Sequence, residues 1–193
     1  MSGQNVEEHD PAVTQMVLRN VEALGSPETE HEVIIFAEVL TLPRVVVSRQ
    51  PVERLLAAGM IPYNCHVNCH NHEARDPEKQ SRHVTGWLIH GSNLILHSVV
   101  VMWNQWICIT PQLVKAANQF EFIPDFDIEW RDNPGGWRDP VRKGVVVPDI
   151  LRKNPAREIE KKDRFLELLN SGLSTKEAQQ SVLAEYPSVS INP

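Results

Sequence analysis

A chain of 193 residues, 41% hydrophobic and 23% charged, has the apolar content for one well-buried domain plus an appendage, which excludes wholesale disorder and a long coiled coil. With 25 acidic against 19 basic residues and a net charge of -6, phosphate-backbone binding is disfavoured and no nucleic-acid partner is expected. No run approaches the roughly 18 to 20 apolar residues of a membrane span, and the opening MSGQNVEEHDPAV lacks the basic and apolar parts of a signal peptide, so a cytoplasmic protein without a membrane partner is expected.

The first ten residues are polar and read as disordered. Pro11 then opens an amphipathic helix with Val13, Met16, Val17, Val21 and Leu24 at helical spacing, stopped by Gly25. Glu32 to Leu40 is apolar enough to be buried either as helix or as strand, and both stay open. Arg44 to Ser48 favours a strand, and Pro51 and Gly59 bracket a short helix carrying Val52, Leu55 and Leu56. Asn64 is a candidate N-cap for a helix through YNCHVNCHNH, and the polar run to Arg82 reads as a loop.

Thr85 to His90, Leu94 to Trp103 and Trp106 to Thr110 read as three strands of an antiparallel meander, joined by Gly91-Ser92-Asn93 and Asn104-Gln105. Phe120 to Trp130 adds an edge strand interrupted by Pro124, and Asp132 to Pro140 reads as a long turn or surface loop. Arg157 to Asn170 is an amphipathic helix ended by Ser171-Gly172, and Ser174 with Glu177 forms the capping box of a last helix. The expected fold is therefore α+β: helices packed on a mainly antiparallel sheet across 11–148, then a C-terminal helical hairpin across 149–193. That hairpin is expected to dock on the main domain, on a partner or on a second copy of the chain.

Chemistry concentrates between Cys65 and His72. At the start of a helix, Cys65 meets backbone N–H groups and the positive end of the dipole, which lower a thiol pKa and make a nucleophile. Cys65 is therefore expected to be reactive and partly accessible, and Cys108, in a strand, to be protected. His97 interrupts an apolar strand and is the candidate base. If Asn104-Gln105 is a two-residue hairpin loop, Val101 faces Cys108, Val99 faces Thr110 and His97 faces Gln112. Gln112 or Thr110 then orients the imidazole, and a one-residue slip would turn both away. Asn68, on the Cys65 face of the helix, and Trp87, in the meander, are the candidate substrate-binding residues.

A helix that starts with Cys, followed by a meander with His on its second strand and a polar partner on its third, resembles the papain-like, transglutaminase-like and arylamine N-acetyltransferase cysteine enzymes. The resemblance spans Asn64 to Gln112 and lies in element order. It implies thiol-dependent hydrolysis or acyl transfer on an amide, thioester or related carbonyl of a small molecule or peptide, without a cofactor. Those families place Asp or Asn after the histidine, whereas WICITP offers Cys108 and Thr110, with Gln112 just beyond. The combination of CHVN, GW, HSV and ITP is also similar to uncharacterised bacterial proteins, and no activity comes with it.

The alternative is a metal site. His66 and His70 sit at i,i+4, and Cys69 and His72 occupy the neighbouring face, so zinc or iron could be held with His83, His90 or His97 from the meander. Val67 stands where a zinc-protease helix carries its glutamate, so metalloprotease chemistry lacks its base. A non-catalytic binding module, using Trp87 and the Asp132 to Pro140 loop, is the third class.

Overall fold

The computed structural model describes residues 11–113 and 116–187; the opening segment 1–10, read above as disordered, lies outside them. In chain order the helices are α1 (Pro11–Leu24), α2 (Glu32–Leu40), α3 (Val52–Ala57), α4 (Cys65–Ala74), α5 (Pro155–Asn170) and α6 (Thr175–Glu185). The strands are β1 (Val45–Arg49), β2 (Ser81–His90), β3 (Asn93–Met102), β4 (Gln105–Cys108), β5 (Gln119–Pro124), β6 (Ile128–Asp132), β7 (Arg138–Arg142), β8 (Val145–Val146) and β9 (Ile150–Arg152).

The segment left open, Glu32–Leu40, is helical. Its buried residues Glu32, Ile35, Phe36 and Val39 fall on one helical face, while Val33 and Ile34 are exposed. That face packs on Trp87, Leu94, Leu96 and Ile123 of the sheet.

The fold is α+β, and the meander is part of a closed ring. β2 pairs with β5, β5 with β1, β1 with β4 and β4 with β3, and β3 returns to β2. All these pairings are antiparallel except β1 with β4. Closure removes the exposed edges and gives the strands an inner face, filled by Val47, Val84, Val99, Cys108 and Phe122. Gly86 lets the ring close: a Cβ there would lie 2.2 Å from the Ile123 carbonyl oxygen and 2.7 Å from the Phe122 ring. The expected edge strand is thus corrected. β5 lies between β2 and β1 and stops at Pro124, while β6, β7 and β8 form a separate three-stranded sheet.

Asp132 to Pro140 is a tight hairpin and not a long loop, with Asp132 opposite Arg138. Its turn is held by the Asn133 side chain, which accepts from Gly135 N at 2.9 Å and donates to Asp139. The β3–β4 hairpin is also corrected. Its turn is Trp103-Asn104, with φ of 49° and 60° and Met102 opposite Gln105, the doubly left-handed geometry that matches the twist of a two-residue hairpin.

The C-terminal helices pack as a pair, with the Ser174–Glu177 capping box in place. Phe165, Ala178 and Val182 bury against Val17, Leu18 and Val21 of α1. Arg152 in β9 ties this end to α2 through a buried ion pair with Glu32 at 2.7 Å. No helix among the described residues is long and apolar enough to cross a membrane.

Candidate active site

α4 begins at Cys65 as its sequence suggests, although the Asn64 side chain makes no capping bond. Cys65, Asn68 and Cys69 form its buried face. Cys69 packs with Leu55, Val100, Ile107 and Ile109 against the outside of the ring. Asn68 spends both ends of its amide on Ile61, accepting from the backbone N–H at 2.9 Å and donating to the carbonyl at 2.8 Å. It therefore anchors the entry to the helix, and neither end is left for a substrate. Tyr63, two residues before the cysteine, has left-handed backbone (φ 59°). Its N–H donates to Pro111 and its hydroxyl accepts from Leu113 N–H, so the start of α4 is pinned to the segment that follows β4.

This places Cys65 at an interruption in the pairing of β3. That strand pairs with β9 over Asn93 to Ile95 and with β4 over Val100 to Met102, so His97 to Val99 meet no strand on that side. Leu96 N–H reaches across to the Asp149 carbonyl at 2.8 Å. Two residues on, Ser98 N–H points the same way by the alternation of a strand, and it favours the thiolate form of Cys65. The first-turn N–H groups of Cys65 and His66 also favour the thiolate. Burial outweighs all three and pushes the thiol up to about 11. The expected depressed pKa is thus corrected, and the resting sulfur is a protonated thiol.

His97 projects into the ring, directly across from Gly86 on β2. Its Nε2 lies 3.5 Å from the Cys108 sulfur, and its ring meets the edges of Phe120 and Phe122 at 5.6 and 6.4 Å. Burial first, then the charges of His66 and Arg49, hold the imidazole down at about 3, so it is neutral. The relocated turn explains the partner. Continuing the observed register brings Thr110, not Gln112, opposite His97, with Cys108 beside Val99. The shift keeps every residue on its face, but the hydrogen bond goes to Cys108 and neither Gln112 nor Thr110 orients the ring. Gln112 instead lines a cavity of about 970 Å³ together with Arg49 and Thr110.

On the outer face, Ser98 is fully buried and its hydroxyl is shared by His66 Nδ1 and His83 Nε2, each at 2.7 Å. Thr85 lies beside them and accepts from the Trp130 indole at 3.0 Å, while the Trp130 ring stands 4.7 Å from that of His66. Burial and the neighbouring His83 hold His66 down at about 4. Of the residues expected to hold a metal, His66 bonds Ser98, Cys69 packs in the core, His70 is exposed, and His72 lines a separate cavity of about 610 Å³. Among the described residues no three His, Cys, Asp or Glu side chains converge to hold an ion. Trp87 is fully buried and donates to Asp125 at 3.0 Å, so it walls no open cleft.

Three residues around the site escaped the sequence reading, Arg49, Ser98 and Trp130, while His83 entered it only as a candidate metal ligand. Ser98 carried a usable signal, since it interrupts LILHSVVV as His97 does. Arg49 and Trp130 come from strands whose place in the assembly no local pattern reveals. Searches of family models, curated proteins and solved structures gave no match to this chain.

Proposed function

We propose that the chain is a thiol-dependent hydrolase or acyltransferase acting on an amide, thioester or related carbonyl, with Cys65 as nucleophile and His97 as base. The observation that carries this reading is the position of the Cys65 sulfur. It lies on the buried face of α4 at the gap in β3, where the backbone of Cys65, His66 and Ser98 favours its thiolate form. Cys65 also retains 8% exposure, whereas Cys69 and Cys108 have none, which makes it the least enclosed of the three thiols.

The protonation states define the manner of attack. With the thiol up at about 11 and the imidazole down at about 3, the proton rests on sulfur and no thiolate–imidazolium pair forms beforehand. In the proposed reaction the proton passes to His97 as the S–C bond forms, as general-base catalysis requires, which asks the imidazole to turn from Cys108, its partner at rest, toward Cys65. The carbonyl oxygen takes up the electron pair next to the same N–H groups, which replace water as its donors. The imidazolium then protonates the leaving group, and water or a second nucleophile resolves the acyl-enzyme.

Turnover of a panel of activated esters and acyl thioesters tests this. Cys65→Ser is expected to abolish it, and His97→Gln to lower it by about 100-fold or more at unchanged fold. Equal rates in wild type and both variants would overturn the proposal.

A further inference from the structure

Because β1 runs parallel to β4 and antiparallel to β5, the end of β1, the end of β4 and the start of β5 meet at one rim of the ring. Backbone bonds hold that rim: Arg49 N–H donates to the Asn118 carbonyl at 2.8 Å and Gln50 N–H to the Cys108 carbonyl at 3.2 Å. The cavity of about 970 Å³ opens here, and neither Cys65 nor His97 is among its described lining residues. Its volume suits a small organic ligand.

Arg49 is the cation of the wall, and it is fixed before any ligand arrives. Its Nε donates to the Ala117 carbonyl at 3.1 Å, its Nη1 donates to the Cys108 sulfur at 3.5 Å, and the guanidinium lies over the Phe120 ring at 4.3 Å. These contacts occupy two of the five guanidinium N–H groups and bring no negative charge. Among the described residues Arg49 enters no ion pair. Gln50, Gln112 and Asn118 add amide side chains to the same wall, each with donors and an acceptor, whereas the Gln119 amide donates to Ser48 Oγ at 3.2 Å. Thr110 lines the cavity as well; it is 3% exposed and its hydroxyl has no hydrogen-bond partner, a polar group that the fold itself leaves unmet.

We infer that this rim is a binding site for a peptide-like carboxylate, an N-acylated amino acid or short peptide: the carboxylate pairs with the Arg49 guanidinium, and the adjoining amide groups bond to Gln50, Gln112 and Asn118. The inference goes beyond the thiol chemistry and does not rest on it. A phosphate fits the rim less well. Sites for a doubly charged anion gather several cations or the open N-terminus of a helix. Here Arg49 is the single cation of the described lining, Glu53 lines the same cavity, and the short helix α3 opens on Pro51 and Val52 with that glutamate in its first turn.

The test titrates N-acetylglycylglycine into the ¹⁵N-labelled full chain and follows backbone amide shifts, with the C-terminal methylamide of the same compound and inorganic phosphate as separate arms. Expected are saturable shifts centred on Arg49, Gln50, Thr110, Gln112 and Asn118, with a dissociation constant of about a few millimolar or tighter. The methylamide and phosphate should each bind at least about tenfold more weakly, the loss that a missing charge-assisted pair implies. Arg49→Gln should weaken the acid by a similar factor and leave the methylamide unchanged.

Acid and methylamide binding alike, phosphate binding as tightly as the acid, an acid affinity unmoved by Arg49→Gln, or no saturation in that range overturns the inference. If Arg49→Gln fails to fold, the comparison of acid with methylamide on the wild-type chain decides. The same titration on Cys65→Ser separates the two readings. Binding retained there, with no turnover of acyl donors by the wild-type protein, defeats the acyl-transfer reading and leaves this site intact, whereas turnover without binding does the reverse.

Discussion

His97 Nε2 approaches the Cys108 sulfur at 3.5 Å inside the ring, while the backbone N–H of Ser98, the next residue along the same strand, favours the thiolate form of Cys65. Two cysteines therefore meet one dipeptide of β3, one through an inward side chain and the other through an in-plane amide. This follows from alternation along a strand whose neighbour is missing at that point.

The first consequence concerns thiol reactivity. Desolvation dominates at Cys65, so iodoacetamide labelling followed by peptide mass spectrometry across pH should give an apparent pKa well above the ordinary thiol value of about 8.5, near about 11. Cys69 and Cys108, without exposed surface, should label only on unfolding. An inflection for Cys65 below about pH 8 would mean that the helix terminus prevails over burial.

Stability should fall on mild acidification. His66, His83 and His97 are all held below the ordinary histidine value, chiefly by burial. The unfolded chain therefore binds protons that the folded one refuses. Their contribution is intact above about pH 6.5 and is lost as pH drops toward the folded values, at up to about 1.4 kcal/mol per pH unit for each histidine. Glu38 and Asp76, held down at about 2 by their hydrogen bonds, act only at lower pH, below the ordinary carboxylate range. Urea midpoints between about pH 6.5 and 5 should thus decline, and His97→Phe should remove about one proton from the slope. A flat profile would show that these imidazoles are hydrated.

Much of this was legible in the chain. The helix start at Cys65, the inward face of His97 and the Ser174–Glu177 box follow from local spacing and capping chemistry, and so they emerged from sequence. Placing the hairpin turn one residue late preserved every facing and still named the wrong partner for His97. Two left-handed residues, one of them Trp103, are not what turn propensities favour. Closure of the ring depends on the parallel pairing of β1 with β4 and on β5 inserting between β1 and β2, contacts far apart in sequence that leave no periodic trace. The thiol pKa was misjudged for the same reason, since burial is a tertiary quantity.

Ring closure has its own test at Gly86. A Cβ there meets backbone at 2.2 Å, which no side-chain rotation relieves, so Gly86→Ala should cost at least about 2 kcal/mol in denaturant unfolding. Gly91→Ala, with open space around it but φ at 61°, should cost only about 1 kcal/mol. Equal, small effects would place β2 and β5 farther apart than described.

Ser98 separates backbone from side-chain roles. Ser98→Ala removes the hydroxyl shared by His66 and His83 and should lower stability by about 1 to 3 kcal/mol. The N–H that addresses Cys65 remains, so the labelling profile of Cys65 should stay unchanged. A shift in that profile would show that the thiol depends on the histidine pair instead of on the strand amide.

The most direct measurement is the mass of the protein quenched in acid during turnover of an activated acyl thioester, followed by peptide mapping of the adduct. One acyl group is expected on Cys65, absent in Cys65→Ser and strongly reduced in His97→Gln, with Cys69 and Cys108 unmodified. An acyl group carried by Cys108, or none on any cysteine while product accumulates, would contradict it.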